Sequence, residues 1–365
     1  MIDWAAVRAR FPLTEGQTYL NTATFGLQSS ASMDAVLRHL QRIGPLLESF
    51  ADLDRVRGKI AALLGASADD IAFCPSTAHG LSLLLRGIDW KPGDRVISFD
   101  NEFPDLLYGA SWLAAQGVEF VKIPIGDLDA HLDARVRLVM ISALNYTSGL
   151  RAPLVALRVK LDAVGALLYV DGTQGCGALS LDVREFQPDL LAVHGYKWML
   201  SPTGAGFVYV RPSTREWLPP NIIGWRSHVG WRDFAKLHEG VPQLSAAAER
   251  YEGGMPALPL YYAMEQSLNL MLELGPGAIE QRVLALSERL RAGVIALGGS
   301  VAHENTPLLA CRFPGRDASD LVQALAAQKI VVAARQGMLR VSIHLYNNED
   351  DIEHFLRVMR ELLPA

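Results

Sequence analysis

Leu167-Leu168-Tyr169-Val170-Asp171-Gly172-Thr173-Gln174, and after it Leu190-Leu191-Ala192-Val193-His194-Gly195-Tyr196-Lys197-Trp198, are the two stretches that decide the fold. Each is a short apolar run that stops at a polar residue and a glycine, which is how a buried strand and its exit turn read. Similar runs lie at 96–99, 118–121 and 138–141, separated by helical spacing at 106–115 and 154–164. Strands alternating with helices predict an α/β domain with a mostly parallel sheet of about seven strands, to which 71–73 and 206–210 also belong. In such sheets ligands gather at the carboxyl ends of the strands. Asp171 and Lys197 both sit just past a run, where chemistry is expected.

Downstream, 219–256 is irregular and rich in tryptophan and glycine, the pattern of a functional or interfacial loop, with Trp225 and Trp231 as expected interface residues. Helical periodicity returns at 258–274 and 279–297. Strand-like runs at 308–311, 330–332 and 339–342, with helices from Ser319 and Glu349, predict a smaller α/β domain. The expected division is an N-terminal arm at 1–20 packing with the small domain, a large domain at 21–257 and a small domain at 258–365.

The 365 residues are 50% hydrophobic and 20% charged with a net charge of −5, an ordinary globular composition. No basic face is concentrated enough to predict a nucleic-acid or anionic-membrane partner. Cys74, Cys176 and Cys311 are few, far apart and without ligand spacing, so neither a disulfide framework nor a metal site is expected. Neither a signal peptide nor an apolar stretch near the ~20 residues of a membrane span is visible, and a cytoplasmic location is expected.

A carboxylate at Asp171 can pair with a pyridine nitrogen and keep the ring an electron sink; its alternative is a helix cap. A partly desolvated lysine at Lys197 can form an imine with an aldehyde; its alternative, a solvated surface lysine, does not need Tyr196 and Trp198 on either side. Ser76-Thr77-Ala78-His79-Gly80 follows one apolar run and opens a helix, which suits an anion, although any Ser/Thr cap looks similar. Gly172, Gly175 and Gly177 lack the GxGxxG spacing of a dinucleotide site.

The order Tyr169-Val170-Asp171-Gly172-Thr173-Gln174 and then His194-Gly195-Tyr196-Lys197 resembles the class V aminotransferase family of fold-type I pyridoxal 5′-phosphate (PLP) enzymes. Cysteine desulfurases, selenocysteine lyases and isopenicillin N epimerase-like proteins belong there, with kynureninases more distant. The resemblance runs from Tyr19-Leu20-Asn21-Thr22-Ala23 to Arg340-Val341-Ser342-Ile343-His344-Leu345-Tyr346-Asn347. It implies PLP as cofactor, Lys197 as its Schiff-base lysine, Asp171 as the pyridinium partner and Gln174 on the phenolic oxygen. It further implies phosphate contacts from Thr77, Ala78, His194 and Tyr196, and ring stacking by Phe103. Arg340 would grip a substrate α-carboxylate, and Asn21, Ala23 and Thr24 would line the substrate side. Shared active sites at a homodimer interface are also implied, with Tyr251-Glu252-Gly253-Gly254-Met255-Pro256 matching a segment that reaches the partner's phosphate. Met255 stands there in place of the family's usual threonine.

Desulfurases carry a nucleophilic cysteine on the loop before the arginine that corresponds to Arg340. Here that loop is Arg335-Gln336-Gly337-Met338-Leu339, with none. Asn145-Tyr146-Thr147-Ser148-Gly149 is similar to a kynureninase segment, and the phenol of Tyr146 is a candidate proton donor. The resemblance thus implies an enzyme acting on a small amino acid through an external aldimine, of aminotransferase or Cβ-lyase type and not a persulfide-forming desulfurase. The alternatives are a kynureninase-like hydrolase, an amino-acid epimerase and a non-catalytic PLP-binding regulatory protein.

Overall fold

The computed structural model describes residues 2–41, 46–237 and 240–363. Its strands, in chain order, are β1 (Thr18–Tyr19), β2 (Ile71–Cys74), β3 (Arg95–Phe99), β4 (Glu119–Ile123), β5 (Val136–Ser142), β6 (Leu167–Asp171) and β7 (Leu190–His194). There follow β8 (Gly206–Val210), β9 (Ser300–Val301), β10 (Leu308–Arg312), β11 (Ile330–Val331), β12 (Ala333–Arg335) and β13 (Met338–Ser342).

One sheet has seven strands in the order β2-β8-β7-β6-β5-β3-β4. The strands from β7 to β4 are parallel, and β8 runs antiparallel to both of its neighbours. A sheet packed on both faces needs apolar residues at nearly every position, which is why its strands read as unbroken runs. Alternate side chains then separate by face. Ile97, Val139, Ile141, Leu168, Val170 and Leu191 join one core cluster, and Val96, Leu138, Met140, Tyr169 and Leu190 the other. Ser142 lies opposite Asp171 in the β5–β6 register. The carboxyl ends of β5, β6 and β7 therefore bring Ser142, Asp171 and His194 to one edge.

A second, antiparallel sheet has the order β12-β13-β10-β9. Leu309, Leu339 and Val341 from it share a core with Leu286 and Leu290 of the helix Pro276–Ala296, Leu321 and Leu325 of Ala318–Ala327, and Ile352 and Phe355 of Glu349–Leu362. The N-terminal segment links the two sheets. β1 pairs in parallel with β11, Asn21 bridges Ser342, and the Ala23 N–H donates to Ser342 Oγ at 3.0 Å. Five residues past Asn21, the Gly26 N–H reaches the Tyr196 carbonyl at 2.9 Å.

Three expectations need correction. The run at 330–332 is not one strand: Ile330 and Val331 pair with β1, Ala333 to Arg335 pair with β13, and Val332 lies between the two partnerships. The helix expected at 106–115 starts earlier, at Pro104, whose fixed φ suits a first helical position, and after Ser111 it tightens into the 3₁₀ turn Trp112–Gln116. Trp231 is no interface residue, because it is 0% exposed within its own chain. Its ring lies between the Arg226 and Arg232 guanidinium groups at 4.6 and 4.1 Å, with Phe50 edge-on at 4.8 Å. Arg226 and Arg57 both pair with Glu252, at 2.8 and 2.6 Å, and this buried ion cluster folds the loop back onto the helix Leu46–Leu64.

Candidate active site

Lys197 follows the turn that leaves β7, and it is only 7% exposed. Its Nζ lies 5.2 Å from the Tyr196 ring centre and 5.5 Å from that of Phe103. Burial lowers the pKa of the amine to about 8; Asp171 opposes the shift, while Arg340 and Arg335 add to it. A useful fraction is thus the neutral, nucleophilic form near neutral pH. Close packing fixes the turn. A Cβ on Gly26 would stand 1.9 Å from the Lys197 carbonyl oxygen, and one on Gly177, whose φ is +101°, 2.2 Å from that of Trp198. His344 holds the same stretch. Its Nδ1 accepts the Leu345 N–H at 2.7 Å, so Nε2 carries the hydrogen and donates to the Trp198 carbonyl at 2.7 Å. Burial pushes the His344 pKa down to about 4, which keeps that ring neutral.

Asp171 ends β6 and is 5% exposed, with Oδ1 accepting the Thr173 N–H at 2.9 Å. Burial raises its pKa, against the hydrogen bonds from Thr173 and the charge of Lys197, which lower it. Thr173 Oγ1 accepts the His194 N–H at 3.1 Å. His194 Nε2 accepts from the Gly204 N–H at 2.9 Å, leaving Nδ1 as the donor of the neutral ring. Burial, then Lys197, lowers the His194 pKa to about 4. On the other side of Asp171, buried Glu102 accepts from the Ser142 N–H at 2.8 Å and from its hydroxyl at 2.5 Å. Burial pushes Glu102 up to about 7.

At one end of the cleft, Ser76 caps the helix Thr77–Gly87 without a side-chain bond to its backbone, its Oγ resting 3.0 Å from His79 Nδ1. The first N–H groups of a helix have no partner inside it, so Thr77 and Ala78 offer donors there. The Thr77 hydroxyl reaches Asp105 at 3.4 Å. At the other end, Gln174 Nε2 donates to the Ala23 carbonyl at 3.1 Å and Oε1 accepts the Trp198 indole N–H at 2.8 Å. One amide hydrogen of Gln174 stays available.

Arg340, on β13, is 1% exposed. It donates to the Tyr146 carbonyl at 2.8 Å and to Thr24 Oγ1 at 2.5 Å, and Thr24 in turn donates to Asn21 Oδ1 at 2.8 Å. Its Nε is buried with no hydrogen-bond partner among the described residues. Burial, then Arg335, lowers its pKa to about 10, so it stays charged at neutral pH. A buried guanidinium without a carboxylate is costly unless a ligand supplies one.

One cleft brings together Lys197, Asp171, Tyr146, Thr77, Phe103, Gln174, His194 and Tyr196. Asn21, Ala23, Thr24 and Arg340 adjoin it through the bonds just described. Ala78 is exposed at the helix start, and Met255 is 38% exposed and away from this chain's own cleft. Ser76, from the stretch read as an anion site, lines the same cleft, as do Asp105, Ser142 and Thr173, which the sequence did not single out.

A strand-end lysine and aspartate on adjacent strands of a seven-stranded α/β sheet define a fold-type I PLP enzyme. The chain belongs to the class-V aminotransferase family, whose sequence model it matches over residues 45–355. It is similar to a probable cysteine desulfurase of Pyrococcus abyssi, 23% identical with 98% of this chain and 97% of the relative covered. It is also similar to the isopenicillin N epimerase of Streptomyces clavuligerus, 25% identical over 96% of each chain. Among solved structures, a C-DES mutant with glycine covalently linked to its PLP cofactor superposes with a TM-score of 0.88 at 23% identity, covering 99% of this chain and 100% of that one.

The residues present fit PLP. The buried amine of Lys197 suits an aldehyde, the buried carboxylate of Asp171 a protonated ring nitrogen, and the open N–H groups of the helix at Thr77 a phosphate. PLP is the cofactor of this enzyme. Among the described residues, no helix is long and apolar enough to cross a membrane.

Proposed function

We propose that this enzyme acts on a free α-amino acid as an aminotransferase or Cβ-lyase, without a cysteine persulfide. The observation that carries the proposal is the placing of Lys197, with its pKa near 8, in one cleft with Asp171 and near Arg340, a guanidinium that pairs with no carboxylate among the described residues. PLP supplies an electrophilic aldehyde and a ring that holds the electron pair left on Cα when a proton departs. Lys197 Nζ would hold the cofactor's aldehyde carbon, and as a free amine it would take a proton from the substrate Cα and return it. Asp171 would keep the ring nitrogen protonated, His194 and Thr77 would hold the phosphate, and Phe103 would cover the ring. Arg340 receives the α-carboxylate and, through Thr24 and the Tyr146 carbonyl, sets its direction. The Tyr146 ring stands edge-on to Phe103 at 5.4 Å and lines the same cleft as Lys197, which makes its hydroxyl a candidate for a second proton transfer.

The cysteines support the exclusion of a persulfide. Cys176 and Cys311 are each 1% exposed, and burial pushes all three thiols up to about 12, far from the thiolate that sulfur transfer needs. Between β12 and β13, Gln336 and Gly337 both have positive φ, 48° and 71°, which makes a two-residue turn with no place for a cysteine loop. We further propose a cytoplasmic homodimer. Phe25, Tyr108, Trp112 and Ile223 are 52, 73, 79 and 62% exposed, apolar surface that a second copy can cover.

The test is a panel of amino acids, followed through the cofactor's absorption and by product analysis. Keto acid, or pyruvate with a released side-chain fragment, is expected. Anthranilate, a D-amino acid as the sole product, or a protein persulfide would overturn the proposal in favour of hydrolysis, epimerisation or desulfuration respectively.

A further inference from the structure

The β12–β13 hairpin places a second arginine beside Arg340. In the antiparallel register Arg340 faces Ala333, and Arg335 lies two residues beyond Ala333, so Arg335 and Arg340 project from the same face of the sheet. Diagonal positions of this kind are about 7–8 Å apart, within reach of long side chains. Arg335 is half-buried, and its charge is felt by both Arg340 and Lys197, lowering the pKa of each. The turn that carries it is fastened over the large sheet by Gln336, whose Nε2 reaches Asn101 Oδ1 at 3.3 Å.

Among the described residues, neither half-buried Arg335 nor buried Arg340 has a carboxylate within ion-pair distance, although Arg57, Arg95, Arg158 and Arg226, buried like Arg340, all do. Arg335 spends one N–H group on the Ala334 carbonyl, at 2.7 Å, and keeps the rest. The cofactor's phosphate does not account for this charge. Its donors lie on the large sheet's helix at Thr77, whereas Arg335 shares the small sheet with Arg340, on the substrate side. Two guanidinium groups held together beside Lys197 repel one another, and the arrangement becomes favourable when the bound molecule brings two negative charges.

We propose that the substrate is an acidic amino acid, its α-carboxylate on Arg340 and its side-chain carboxylate on Arg335. This rests on the function proposed above and narrows it to a substrate class. Bidentate geometry suits both contacts, and an uncharged amide of the same shape satisfies only the first.

The test compares L-aspartate with L-asparagine and L-glutamate with L-glutamine on the PLP-loaded enzyme, reading kcat/KM from the change in the cofactor's absorption. At least one acid is expected to exceed its amide by roughly tenfold or more. In Arg335→Gln that ratio is expected to fall close to one. Acids no better than amides in the wild-type enzyme, or a ratio unchanged in Arg335→Gln, would overturn the inference while leaving the proposed function standing. If no amino acid in the wider panel alters the absorption, the proposed function itself falls, and this inference with it.

Discussion

Lys197→Met tests the physics of the site apart from its chemistry. The variant keeps the length and apolar stem of the side chain and removes the amine. In the cofactor-free protein the amine has a pKa of about 8 against an ordinary 10.5, mainly because it is buried. At about 1.4 kcal/mol per pH unit, holding the charged form in the fold costs roughly 3 kcal/mol at pH 7. The sign follows from the direction of the shift. The folded pKa lies below the unfolded one, so the penalty is complete below pH 8, shrinks between 8 and 10.5, and is gone above 10.5. The attraction of Asp171 is already contained in that net shift. Lys197→Met is therefore expected to stabilise the cofactor-free protein by about 2–3 kcal/mol at pH 7, with the gain fading as pH rises toward 10. Urea unfolding at a series of pH values reads both quantities. A variant less stable than the parent at pH 7, or a gain independent of pH, would refute a desolvated Lys197.

Gly26→Ala sets a Cβ 1.9 Å from the Lys197 carbonyl oxygen, and the displaced turn is expected to cost about tenfold to a hundredfold in kcat. Gly277→Ala, with nothing within 4 Å of the new Cβ, serves as the control and is expected to behave as the parent enzyme. Arg340→Lys loses the fork that holds Thr24 and the Tyr146 carbonyl, and its KM for amino acids is expected to rise about tenfold, with a much smaller change for the decarboxylated amine. Replacing Cys74, Cys176 and Cys311 together by alanine or serine is expected to leave turnover in any variant that folds and binds PLP; its loss in such a sample would restore a sulfur-transfer mechanism.

The large sheet was legible because strands buried on both faces leave nearly unbroken apolar runs; the edge strand β4, Glu119–Ile123, is half-exposed and interrupted by Glu119 and Lys122, and its run at 118–121 was read one to two residues early. Asp171 and Lys197 were legible for a local reason: Asp171 follows its run directly, and Lys197 comes four residues after Val193, in the turn that leaves the next run. Ser142 was not, since it is an unremarkable serine until the parallel register sets it against Asp171. Asp105 and Thr173 are likewise single polar residues whose position in the cleft depends on packing rather than on pattern. Arg335 could be read only once the two-residue turn fixed which face it shares with Arg340. Trp231 misled because an irregular loop has no periodicity to tell a buried ring from an exposed one, and the Arg57–Glu252–Arg226 cluster that folds the loop inward joins residues far apart in the chain.

The central claim is that Lys197 carries the cofactor, and borohydride reduction of the PLP-loaded enzyme followed by peptide mapping tests it most directly. The account predicts one stable pyridoxyl adduct, on Lys197, together with loss of the visible absorption band. An adduct on another lysine, such as Lys160, which is paired with Asp129 at the surface, would contradict it.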